Sequence, residues 1–156
     1  MLKVYNYDIV FQEVPDETAL ALNISNCPYH CEGCHSPMLW KDKGVPVLGE
    51  LNTLLKNYGN LITCICFMGG DQDPEELIQA LKIIKQQGLK TCLYTGADNL
   101  EQLTEFFPYL DYLKYGSFKK ALGGLASPTT NQKFLKKENE EWVDYTYKFR
   151  ETVIPR

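Results

Sequence analysis

Long hydrophobic runs are missing from this 156-residue chain: no apolar stretch approaches the length needed to cross a bilayer. The opening MLKVYNYDIV also lacks the charged and apolar regions of a secretory signal. Both absences lead to the expectation of a cytoplasmic protein with no membrane partner. A basic stripe is missing too. The net charge is -4 and the lysines are scattered among carboxylates, which argues against nucleic acid as a partner. There is no internal repeat and no low-complexity tract, and 44% hydrophobic with 23% charged residues leaves no case for disorder. These exclusions leave a single soluble domain over residues 1–156, large enough to bury a core without disulfide or metal staples.

Six cysteines stand in a chain with no export signal, so they read as metal ligands and buried thiols rather than as a disulfide framework. Cys27, Cys31 and Cys34 follow a Cys-x3-Cys-x2-Cys pattern within eight residues. Close thiolates repel one another unless a cation neutralises them, so this crowding points to metal. Three thiolates can hold three irons of a 4Fe-4S cluster, whose usual complement is four cysteines, and so leave one iron open. The alternative is a structural zinc module with His30 or His35 as fourth ligand. Zinc sites usually draw on two separated pairs of ligands, so the compact triplet favours iron and sulfur. Cys64, Cys66 and Cys92 lie in apolar segments, Cys64 and Cys66 on one strand face, and read as buried small hydrophobes.

Apolar Thr18 to Ser25 reads as a core strand running into the cysteine loop, and Leu48 to Tyr58 as a helix closed by Gly59. Leu61 to Met68 (LITCICFM) has the continuous apolar character of a strand covered on both faces. A helix follows, with Asp73 as N-cap, Pro74 at the first position, Glu76 completing a capping box and Gly88 at the exit. Lys90 to Tyr94 is a strand, Asn99 to Phe107 a helix stopped by Pro108, and Leu110 to Tyr115 a strand. Residues 116–130 form a long loop, after which Gln132 to Lys136 and Trp142 to Phe149 pair as a hairpin across the polar 137–141 turn. The alternation predicts an α/β fold of βαβ units with mostly parallel strands and a ligand site outside their C-terminal ends.

The stretch CPYHCEGCHSP resembles the cluster loop of the radical S-adenosylmethionine (SAM) enzymes. The segments GGDQDPEEL, YTG and SPTTNQ are similar to the small activating enzymes of anaerobic ribonucleoside-triphosphate reductases. The resemblance implies an open partial (βα) barrel in which Cys27, Cys31 and Cys34 hold the cluster. It implies reductive cleavage of SAM to a 5'-deoxyadenosyl radical, which makes a glycyl radical on the catalytic subunit of the reductase. It further implies an electron donor such as flavodoxin. An activase of another glycyl-radical enzyme, such as pyruvate formate-lyase, is the nearest rival.

By the same resemblance, Gly69, Gly70 and Asp71 correspond to a Gly-Gly-Glu-type motif that holds the methionine amino group. Glycines admit close backbone approach and a carboxylate accepts from an ammonium; Asp73 fills the helix cap, which leaves Asp71 for the ligand. Thr95 and Gly96 are expected at the ribose or methionine part. The chain departs from the family pattern at Gly33, where an aromatic residue is common, and at Lys114 and Tyr115, where Asp-Gly is common. No role carries onto those positions. Tyr29 and His30 read as loop-shaping residues, and Asn131 and Gln132 stand near the open mouth of the fold.

Overall fold

The computed structural model describes residues 1–30 and 37–151. Eight strands are present among them: β1 (Lys3–Val10), β2 (Ala19–Ile24), β3 (Val45–Pro46), β4 (Cys64–Met68), β5 (Lys90–Tyr94), β6 (Tyr112–Tyr115), β7 (Lys133–Glu138) and β8 (Glu141–Asp144). The α-helices are α1 (Val47–Tyr58), α2 (Pro74–Gln86) and α3 (Tyr147–Glu151), with 3-10 segments at Pro37–Trp40 and Leu100–Tyr109. All strands join one open sheet of order β3-β1-β2-β4-β5-β6-β7-β8.

The middle of the sheet follows the expected pattern. Strands β2, β4, β5 and β6 run parallel, and the crossovers between them carry α1, α2 and the 3-10 segment Leu100–Tyr109. The flanks correct the expectation of a mostly parallel sheet. Strands β1 and β3 on one side and β7 and β8 on the other add four antiparallel pairings to the three parallel ones. The physical reason is connection length, since β1 to β2 and β7 to β8 are joined by segments too short for a crossover. The fold is therefore mixed α/β.

Local signals set most boundaries. The Asp73 carboxylate accepts from the Glu76 backbone N–H at 3.3 Å, and Gly88 follows α2 at φ +78°. Strand β4 starts three residues after Leu61, which is exposed. Asn99 accepts from the Glu101 N–H at 2.9 Å, and the helix it opens is 3-10 and continues through Pro108 to Tyr109. Its end is closed by the Leu110 N–H on the Phe107 carbonyl.

Alternation along the central strands separates two apolar layers. Ile65 and Phe67 of β4 and Leu93 of β5 join Leu51 and Leu54 of α1 and Leu77, Leu81 and Ile84 of α2. Cys64, Cys66 and Cys92 lie in the second layer with Tyr112 and Phe134, all fully or almost fully buried. Burial pushes the Cys64 and Cys92 thiols well up, so they behave as small core hydrophobes.

Below the layers, at the N-terminal ends of the central strands, Glu17 accepts from Tyr112 at 2.5 Å and from Lys90 at 2.9 Å. Burial raises the Glu17 carboxyl, but hydrogen bonds from Thr63, Tyr112 and Lys90 outweigh it and hold the group below its ordinary value. This clamp ties the start of β2 to β5 and β6 and leaves the opposite end of the sheet for a site.

Candidate functional site

At the C-terminal ends of β2, β4, β5 and β6 the chain encloses a cavity of about 350 Å³. Each strand delivers a wall as it ends: Cys27 after β2, Gly69 and Asp71 after β4, Thr95 and Gly96 after β5, and Lys114 near the end of β6. Among the described residues that line it, Asp71 and Lys114 are the charged ones, on an otherwise largely apolar wall.

The loop after β2 is pinned before it reaches the cysteines. The Asn26 N–H donates to the Lys41 carbonyl at 2.9 Å and the Cys27 N–H to the Leu39 carbonyl at 2.8 Å. The His30 ring stacks on Trp40, centroids 4.5 Å apart at 16°. Cys31, Cys34 and His35 lie outside the described residues. Cys27 is half-buried at the cavity wall.

The Gly-Gly turn is joined to this loop by Gln72. Its amide donates to the Ser25 and Asn26 carbonyls at 3.2 and 3.4 Å, while its oxygen accepts from the Gly70 N–H at 3.1 Å. Gly69 and Gly70 have φ of +100° and +120°, which only glycine adopts without strain. Gly69 borders the cavity, whereas Gly70 is buried behind it, where an added Cβ would meet Leu2 and Leu77.

Asp71 is held from one side. The Tyr29 hydroxyl donates to Asp71 Oδ2, and Thr95 Oγ1 lies 3.4 Å from the same hydroxyl. Asp71 Oδ1 is buried and has no hydrogen-bond partner among the described residues. Leaving such an oxygen unsatisfied costs roughly 1–3 kcal/mol, which a donor from a ligand would recover. Burial, then the bond to Asp71, pushes the Tyr29 hydroxyl above the ordinary tyrosine range, so it stays protonated and donating.

Gly96 contributes its missing side chain. A Cβ there would stand 2.7 Å from Tyr29 Cγ, so glycine is what lets the tyrosine ring seat beside the end of β5. Thr95 Oγ1 accepts from the Ala97 N–H at 3.0 Å. Lys114 Nζ donates to the Thr95 and Gly116 carbonyls at 3.2 and 2.9 Å. Gln132 is buried, donates to the same Gly116 carbonyl at 3.3 Å and lines the cavity. The Asn131 amide donates to the Ser117 carbonyl at 3.0 Å.

The cavity therefore brings Cys27, Gly69, Asp71, Thr95 and Gly96 together and sets Gly70 behind them. Tyr29, Gln72 and Lys114 are the additions. Tyr29 stands two residues from a cluster cysteine, which is a sequence signal for it; Lys114 has none, because an isolated lysine at a strand end is most often solvated.

The donor set fits the groups in question. A carboxylate oxygen without a partner, on a cavity bordered by backbone at positive φ, suits an amino-bearing ligand such as SAM. A cysteine on the same wall suits a thiolate-held cluster. No helix of the described chain is long and apolar enough to cross a membrane. No curated protein and no solved structure matches the chain. Residues 18–142, about four-fifths of the chain and including all three clustered cysteines, match the family described as the 4Fe-4S single cluster domain, and the chain belongs to that family.

Proposed function

We propose that this protein is a radical SAM enzyme that generates the glycyl radical of an anaerobic ribonucleoside-triphosphate reductase. The observation that carries the reading is the shared wall: Cys27 and the half-satisfied Asp71 carboxylate face one cavity at the C-terminal ends of parallel strands. When bound, the cluster and SAM supply a one-electron carbon-sulfur cleavage and the 5'-deoxyadenosyl radical that takes a hydrogen atom from the target glycine.

The chain's residues bind and orient. Cys27, with Cys31 and Cys34, holds three irons, and Asp71 accepts the methionine ammonium through Oδ1 while Tyr29 fixes Oδ2. Gln72 keeps the Gly-Gly turn and the cysteine loop in one relative position, so that the ligand's amine and the cluster meet in fixed register. Gly69 and Gly96 keep the wall thin, and the apolar lining limits water around a reactive carbon radical.

The test is anaerobic incubation of the reconstituted protein with SAM, dithionite and the reductase, read by electron paramagnetic resonance. A carbon-centred doublet on the reductase is expected. Cluster and SAM cleavage without the doublet would reject the target, and a doublet only on a formate-lyase would move it there. Stoichiometric zinc with no iron-sulfur absorption and no SAM cleavage would replace the enzyme by a structural zinc module.

A further inference from the structure

The charge arrangement of the cavity goes one step further than the proposed function and rests on it. A lysine buried to 8% exposure is uncommon, and Lys114 has its ammonium drawn to two main-chain carbonyls at the mouth of the parallel strands. Those carbonyls, of Thr95 and Gly116, hold the charge on the cavity wall instead of letting the long side chain reach out to water. The Tyr94 ring face, 5.9 Å from Nζ, adds a second anchor.

Thr95 lies between the two charges. Its carbonyl accepts from Lys114, and its hydroxyl is 3.4 Å from the Tyr29 hydroxyl that binds Asp71. A carboxylate with an unsatisfied oxygen and an ammonium thus flank one residue on one wall. That pattern complements a ligand carrying an ammonium and a carboxylate on the same carbon.

We propose that Lys114 recognises the α-carboxylate of the ligand as the cationic counterpart of Asp71, so that the cavity selects an intact amino-acid zwitterion over its decarboxylated form. Lys114 is then a specificity residue, and its worth is read only against ligands that carry the carboxylate.

The experiment is a two-by-two comparison by equilibrium dialysis on the reconstituted protein under anaerobic conditions: SAM and decarboxylated SAM, each against wild type and K114M. Loss of a charge-assisted hydrogen bond weakens binding by roughly tenfold to a hundredfold. K114M is expected to lose that much for SAM and less than about twofold for decarboxylated SAM, and this difference isolates the carboxylate-lysine term. Equal losses for both ligands, or none for SAM, would overturn the assignment. If K114M does not fold, K114Q and K114R each keep donors for the two carbonyls: K114Q must lose the discrimination and K114R keep it, and the reverse overturns the proposal. Wild-type protein that binds no SAM would instead reject the proposed function itself, and with it this assignment.

Discussion

At the scale of single residues, the site is a matter of satisfied and unsatisfied polar atoms. Asp71 has one oxygen on Tyr29 and one with no partner among the described residues, an asymmetry that makes it a receptor and not a structural cap. Asp71→Asn keeps an acceptor for Tyr29 and removes the charge, so SAM affinity should fall roughly tenfold to a hundredfold while unfolding free energy changes by less than about 1 kcal/mol. Calorimetric titration beside urea unfolding checks both, and unchanged affinity would remove Asp71 from the site. Gly96→Ala tests the opposite kind of fit. Its methyl meets the Tyr29 ring at 2.7 Å, and the overpacking should cost about 1–3 kcal/mol in chemical unfolding. Stability equal to wild type would show that the ring yields freely.

At the scale of elements, the central strands are gripped at one end and open at the other. Glu17 is the grip, joining Lys90 at the start of β5 and Tyr112 at the start of β6. Its folded carboxyl is held below its ordinary value, so its contribution is complete above the unfolded value of about 4.3 and is lost as pH falls through the folded one. Tyr112 has the opposite sign. Burial and then Glu17 push its hydroxyl up, so its contribution is complete below about pH 10 and is lost as pH rises further. Glu17→Gln should cost about 1–3 kcal/mol at pH 7 and shrink the stability difference between pH 7 and pH 4, measured by urea unfolding. An acid dependence as steep as in wild type would assign the effect to other carboxylates.

At the scale of the whole molecule, ligand and cluster binding meet in one cavity built from four strand ends and two loops. Anything that binds there binds only the folded chain, so SAM at a hundred times its dissociation constant should add about 2.7 kcal/mol. For a chain of this length that raises the melting temperature by about 5–10 °C. Differential scanning fluorimetry of the anaerobic holoprotein reads it, and a shift produced equally by adenosine alone would place recognition on the nucleoside rather than on the amino-acid end.

What the sequence by itself determined lies within short stretches: the cysteine spacing, the capping of α2 by Asp73, the apolar run of β4 and the glycines at the strand-to-helix turn. Each of these depends on neighbours a few residues away, so a linear reading reaches it. The tertiary structure alone decided the antiparallel flanks, the grip of Glu17 on Tyr112 across 95 residues, and the hold of Tyr29 on Asp71 across 42. It also decided that Lys114 turns to the Thr95 and Gly116 carbonyls on the cavity wall. The physical reason is that a side chain's partner depends on which strands become neighbours, and strand order is settled by packing and connection length across the entire sheet.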